Sequence, residues 1–318
     1  MVTVKAPPVE RRGIPGTDRA WSAVSIRVDP PRVAPPSADE RTVALLRRAR
    51  DRGVTTFDVA HSRHPERGER LIATAFPSED PQLSVIVGRS VDSVVEGRAR
   101  PGKAFASEDL GALLEQSLGE SRRRLAPVPV SVVEWRSFHG SAEEAALGSP
   151  LARLSDFAGP NVLWASELPP SAGTLPLTGR PTSLFAGELS LLDFDFLPLF
   201  ESAAKETISG LIARNPFSNG RLDGTQFALG PLVRGPGAAP ADLRQLHEDF
   251  DPVLRLRFLT DRRRRTLAQA AIRFALAWTW VTTVVIPLPD PERLEEILGY
   301  AASPPLSDDE FARLGLVK

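Results

Sequence analysis

Apolar runs that end in a charge recur along this chain. Gly53-Val54-Thr55-Thr56-Phe57 leads into Asp58, with His61, Arg63 and His64 just beyond, and Leu83-Ser84-Val85-Ile86-Val87-Gly88 leads into Arg89. Val130-Ser131-Val132-Val133 is followed by Glu134, Trp135, Arg136 and then His139, and Asn161-Val162-Leu163-Trp164-Ala165 by Ser166 and Glu167. A shorter run reaches Glu188, and Ile208 to Ala213 reaches Arg214 and Asn215. Packing alone gives no reason for a charge there, so these residues are site candidates. Asp58 and Glu134 could move protons as carboxylates. His139, whose type titrates near neutrality, is the best proton-transfer candidate. Arg63, Arg89, Arg136 and Arg214, joined by Glu167, are expected to hold an anionic small molecule, because a guanidinium fork fits an oxyanion. Glu134 and Arg136 are two residues apart and share one side of a strand.

Each candidate has a plainer reading. Asp58 is either a base held by Arg89 or half of a structural Asp58–Arg89 salt bridge. Glu134 and Glu167 either do acid–base work or neutralise the arginines. His61 and His64 form an H-x-x-H pair, but without a third ligand they read as loop histidines, and no metal site is expected. His247 reads as helix surface. Arg262-Arg263-Arg264-Arg265 lacks interleaved aromatics and reads as a solvated helix start, so no nucleic-acid partner is expected.

Composition narrows the chemistry further. The chain has 318 residues, a net charge of −1 and no cysteine, which excludes disulfides, thiolate nucleophiles and cysteine-bound metals. Near-neutral charge gives no bulk attraction to nucleic acid or membrane. Neither a long apolar run nor a signal-like N-terminus is present, so a cytoplasmic protein is expected. The chain has one tyrosine, Tyr300, which restricts any mechanism that needs a phenol.

The elements that must position these residues alternate. Trp21–Val28 is expected as the first strand, and Asp39–Arg52 as a helix stopped by Gly53 before the Phe57 strand. Helix 65–76 and strand 83–89 follow, then helix 108–125, strand 130–136, helix 142–158 and strand 161–166. Past a loop over 169–181 come strand 183–188, helix 194–206 and strand 208–216. A Gly/Pro-rich segment over 217–241 precedes helix 242–258. Helix 266–278, strand 281–287 and helix 291–302 close the chain. Eight strands with interleaved helices predict one (β/α)8 TIM barrel over residues 1–318, with the site at the C-terminal ends of the strands.

Several stretches resemble the aldo-keto reductase family. Arg11-Arg12-Gly13-Ile14-Pro15-Gly16-Thr17 is similar to its N-terminal hairpin, and Ala44 to Ala60 to its first helix and Asp-bearing strand. Ala213 to Leu222, Ala268 to Ala277, Val285-Ile286-Pro287 and Pro291 to Glu296 continue the resemblance to the chain's end. It implies the aldo-keto reductase type of barrel, and a reaction in which Asp, Tyr, Lys and His reduce a carbonyl with NADPH. The Asp matches Asp58, whereas the Tyr, Lys and His positions fall on Arg63, Arg89 and Arg136. The nicotinamide-amide position falls on Ala186, the ring-stacking aromatic on Arg214 and the neighbouring serine on Asn215. Ser166-Glu167 matches a Ser-Asn pair in part, and Arg293 matches an arginine for the cofactor's 2′-phosphate. An arginine stays protonated and is a poor general acid. The expectation is therefore a non-redox acid–base enzyme of lyase, dehydratase, isomerase or cyclase type, without a cofactor and with a biosynthetic role. The alternatives are an NADPH-dependent oxidoreductase with a non-standard site and a non-catalytic ligand-binding protein.

Overall fold

Period-two burial builds the central element. In Ser84–Arg89 (β5), Val85 and Val87 join the large cluster under the helices while Ile86 joins a smaller cluster inside the barrel. In Val130–Trp135 (β6), Val133 and Trp135 face out and Val132 faces in. Strands buried on both sides in this way are expected of a parallel sheet covered by helices. The computed structural model describes residues 7–90, 107–136, 148–168, 184–195, 197–198, 200–201, 210–224, 251–260 and 265–316. His139, His247, Arg262, Arg263 and Arg264, the 169–181 loop and most of the helices expected over 194–206 and 242–258 lie outside the described residues.

The remaining elements follow in order. A hairpin of Arg11–Gly13 (β1) and Ala20–Ser22 (β2) precedes Val24–Arg27 (β3), Pro36–Asp51 (α1), Thr56–Asp58 (β4) and Pro65–Ala75 (α2). After β5 and β6, with Ser107–Leu125 (α3) between them, come Gly148–Ala158 (α4), Leu163–Glu167 (β7), Leu184–Glu188 (β8) and Gly210–Arg214 (β9). Leu267–Ala275 (α5), Val281–Pro287 (β10), Pro291–Leu298 (α6) and Asp308–Arg313 (α7) complete the described elements. The barrel closes in the order β10-β3-β4-β5-β6-β7-β8-β9, with parallel pairing throughout. The eight-stranded barrel expected from the sequence is therefore the fold observed. Among the described residues, no helix is long and apolar enough to cross a membrane.

Two boundaries moved for identifiable reasons. The strand expected over Trp21–Val28 divides at Ala23, because residues 20–22 pair antiparallel with β1 and only Val24–Arg27 enters the barrel. Ile14 and Trp21 thereby reach the inner cluster, and Arg12 donates to the carbonyls of Trp278 and Val281, at the start of β10. The hairpin thus plugs the end of the barrel opposite the strand C-termini. Helix α1 starts at Pro36 rather than Asp39, since a proline in the first turn gives up only an N–H that has no helical partner. Gly53, at φ +94°, ends the turn after this helix, and a side chain there would press on the Val9 backbone.

Gly88 matters most for the mouth. A Cβ on it would lie 2.3 Å from the carbonyl oxygen of Ala60, so the segment after β4 crosses the inner face of β5 where glycine leaves room. That crossing carries His61 over the barrel. Gly88→Ala should cost at least about 1–3 kcal/mol by overpacking against backbone. Thermal unfolding would show it as a lowered melting temperature, and an unchanged melting temperature would contradict the close approach.

Candidate active site

Strand register decides which side chains reach the mouth. Arg27 pairs with Asp58, Asp58 with Ile86, and Gly88 with Glu134, so all of these share the inward direction. Arg89 pairs with Trp135 and shares its outward direction. On β8 and β9, Glu188 pairs with Arg214 and both follow inward-facing residues.

The centre of the mouth is a buried ionic cluster. One terminal nitrogen of Arg214 donates to Asp58 Oδ2 at 2.6 Å and also to Glu134 Oε2. Both carboxylates have no exposed surface, and Arg214 is buried. The other oxygen of Asp58 accepts from the Ala60 backbone N–H at 3.0 Å, which fixes the start of the loop carrying His61. Glu134 Oε1 lies 2.6 Å from His61 Nε2. Burial alone would raise the Glu134 carboxyl, but the Arg214 charge and the His61 hydrogen bond outweigh it and hold the group at about 2. Burial disfavours the Arg214 charge in the same way, and Asp58 and Glu134 override it, so its pKa is raised above the ordinary value.

An ionised Glu134 can only accept, so His61 Nε2 carries the shared proton. In neutral His61 the lone pair is then on Nδ1. Glu167 Oε1 is 3.9 Å from His61 Nε2. His61 and Arg214 line a cavity of about 480 Å³ with Arg27, Glu167, Glu188, Asn215, Asp223 and the 216–220 turn. Asp58 and Glu134 lie beneath it and are not part of its lining. At and just before that turn Asn215, Ser218 and Asn219 all adopt positive φ, held by Asn215 Oδ1 on the Asn219 N–H and by a Ser190–Ser218 hydroxyl contact of 2.7 Å.

The convergence of four arginines on one mouth is corrected. Arg214 is there, but Arg63 is largely exposed and pairs with Asp29. Arg89 is buried between β5 and α3, where it donates to Ser121 Oγ at 2.6 Å and to the Ser117 carbonyl at 3.0 Å. Ser121 and Arg124 in turn bind the buried Glu69 of α2, so Arg89 helps to fasten α2 and α3 to the barrel. Burial lowers Arg89 to about 10, against the opposing pull of Glu69. Arg136 is partly buried beside Ser90. The Asp58–Arg89 pairing is corrected too, because Asp58 is bound by Arg214. Arg293 donates to Glu296 and to the Asp223 carbonyl.

Expected from the sequence as an ordinary loop histidine, His61 is a central residue of the cavity. Arg27 was not singled out, although it ends a strand in a charge as the other candidates do. His64 precedes α2 and is not part of the cavity lining. Among the described residues no group of acidic or histidine side chains could hold a metal ion. Tyr300 is fully buried in a turn after α6, against Arg273 and near Arg12 at the plugged end. Burial, and then the Glu10 charge, raise its pKa above the ordinary value.

Residues 181–316 match the family model described as the aldo/keto reductase family. Among solved structures, the chain is similar to an aldo-keto reductase from Bacillus halodurans in its holo form, with a TM-score of 0.69 and 17% identity over 96% of this chain and 95% of that one. It is also similar to a glycerol dehydrogenase from Gluconobacter oxydans, with a TM-score of 0.72 and 16% identity over 96% and 94%. No curated protein sequence matches it significantly.

Removing Arg214 would strand two buried carboxylates. Arg214→Met should destabilise the fold by about 3–5 kcal/mol, and adding Asp58→Asn should return part of the loss. Chemical denaturation of both variants would check this, and a double variant no more stable than the single one would contradict the cluster. The depressed Glu134 contributes stability that is fully present above its ordinary value of 4.5 and is lost as pH falls toward about 2. Glu134→Gln should therefore show a shallower loss of stability across that acid window than the parent protein.

Proposed function

We propose that this chain, whose residues 181–316 match the aldo/keto reductase family model and whose barrel is similar to aldo-keto reductase structures, is a proton-transfer enzyme rather than a carbonyl reductase. The carrying observation is the His61–Glu134 pair, a cavity-lining imidazole hydrogen-bonded at 2.6 Å to a buried carboxylate that Arg214 keeps ionised. A carboxylate behind a histidine fixes its tautomer and stabilises the imidazolium that forms when the histidine takes a proton. In this reading His61 Nδ1 removes a proton from an acidic C–H or O–H of a small substrate. It returns that proton to another substrate atom in an isomerisation, or to a leaving hydroxyl, released as water, in a dehydration. Asp58 and Glu134 hold His61 and Arg214 in place, which changes the roles expected of them from proton carriers to positioning residues. Glu167, beside His61 on the cavity wall, is the carboxylate placed to exchange protons with substrate.

The residues present do not fit the NADPH that the resemblance implies. Arg214, at the position expected to stack on the nicotinamide ring, is pinned to the cavity floor by two carboxylates. Arg293, at the 2′-phosphate position, is engaged by Glu296 and the Asp223 carbonyl. The chain's one phenol lies at the plugged end of the barrel and cannot protonate a carbonyl at the mouth. No step of the proposed reaction passes through the cofactor.

A second reading, an oxidoreductase using NADPH in an altered pose, draws support from the family match. Residues 181–316 include the β8, β9 and 216–220 wall of the cavity, and the two similar structures are reductase-family proteins, one of them a glycerol dehydrogenase. Titrating NADPH against the fluorescence of the five tryptophans separates the two. We expect no saturable quenching at micromolar cofactor, and micromolar affinity would overturn the proton-transfer reading. Once a substrate is found, His61→Gln should lower kcat by about 10²–10⁴-fold with KM nearly unchanged.

A further inference from the structure

The cavity lining includes an arginine that forms no ion pair among the described residues. Arg27 ends β3 in register with Asp58 and Pro287, points into the barrel and lines the cavity. Its Nε is buried without a hydrogen-bond partner, and its side chain pairs with no carboxylate among the described residues. The other arginines of this end of the barrel each have an acceptor, Ser90 in the case of Arg136, and the buried unpartnered Nε atoms of Arg89 and Arg136 belong to residues outside the cavity lining. Arg63 has Asp29, Arg89 has Ser117 and Ser121, Arg293 has Glu296, and Arg214 has Asp58 and Glu134. Arg214 nevertheless also keeps a buried Nε without a partner. Two unsatisfied guanidinium N–H groups therefore belong to residues lining one cavity that also contains His61. A buried donor without an acceptor is unfavourable, and a charged one more so, unless something else completes it.

We propose that Arg27 is the specificity-determining residue of this site, binding an oxyanion of the ligand, carboxylate or phosphate, with Arg214 Nε as a second donor. The molecule so held presents its reacting atoms toward His61 and Glu167. The small anion expected from the sequence is thus recognised, but by an arginine other than Arg63, Arg89 or Arg136. Naming that molecule as a substrate rests on the proton-transfer reading; the binding of an oxyanion by Arg27 does not.

Thermal melting of the whole protein, with sodium malonate and inorganic phosphate as probes against chloride of equal ionic strength, tests this. We expect at least one probe to raise the melting temperature saturably, and Arg27→Gln to weaken that probe by about tenfold or more. Arg27→Gln removes a half-buried guanidinium that pairs with no carboxylate among the described residues, so its melting temperature without probe should be no lower than the parent's. Arg63→Gln, at the exposed pair with Asp29, should bind the probe as the parent does. A response to malonate alone marks a carboxylate ligand, to phosphate alone a phosphorylated one, and to both a general oxyanion site. No response in the parent, an equal response in Arg27→Gln, or equal weakening by Arg63→Gln would overturn the proposal. NADPH binding together with an Arg27-dependent anion response would overturn only the proton-transfer reading.

Discussion

The barrel mouth depends on one guanidinium shared between two buried carboxylates. Asp58, Glu134 and Arg214 come from strands β4, β6 and β9, so the cluster ties the wall of the barrel together across its width. Such clusters are costly to desolvate and add little net stability, while loss of a single member is severe. With one positive and two negative charges the cluster has an excess negative charge directly beneath His61. The same interaction therefore ties three strands together and sets a buried carboxylate against the cavity-lining imidazole.

Alternation along β5 explains why the positive charge comes from β9. Ile86 faces the interior, so Gly88 does too and Arg89 must face outward. The inward place on β5 has no side chain and is filled by the Ala60 carbonyl. A cation for Asp58 and Glu134 then has to come from elsewhere, and the inward residue ending β9 is Arg214. Arg89 spends its hydrogen bonds on α3 and, through Ser121, on Glu69 of α2. An arginine expected at the site thus supports the outer layer that frames it.

The fold was legible because it rests on repetition. Val-, Ile- and Leu-rich runs, glycine stops and amphipathic spacing recur often enough that boundary shifts at Trp21–Val28 or Pro36 do not change the topology. The site was legible in its residue types but not in its geometry. Asp58, Glu134, Glu167 and Arg214 were found because a charge ends a buried run. Arg89 differs from its expected place because one residue of strand parity separates the barrel interior from the helix layer, and the Ile86–Gly88 alternation puts Arg89 on the outer side. His61 needed knowledge of a loop crossing that only the Gly88 contact reveals. Arg27 carries the same signal, a charge at the end of an apolar strand, but lies outside the stretches that resemble the family.

The 216–220 turn shows how the two ends of this logic meet. Asn215, Ser218 and Asn219 take left-handed conformations that cost non-glycine residues free energy, and such strain persists only where surrounding contacts hold it. Here those contacts are polar and local: Asn215 to the Asn219 backbone, Ser218 to Ser190, and Asn215 Nδ2 to Glu188 at 3.1 Å. Arg293 holds the far side through the Asp223 carbonyl. The turn begins directly after Arg214, so the guanidinium's position is set from below by its carboxylates and from the C-terminal side by a backbone with little freedom. A mobile turn would let Arg214 leave the cluster and expose two unpaired carboxylates. The local strain and the buried ion pairs therefore constrain the same side chain, and the one is tolerable because the other makes its release unfavourable.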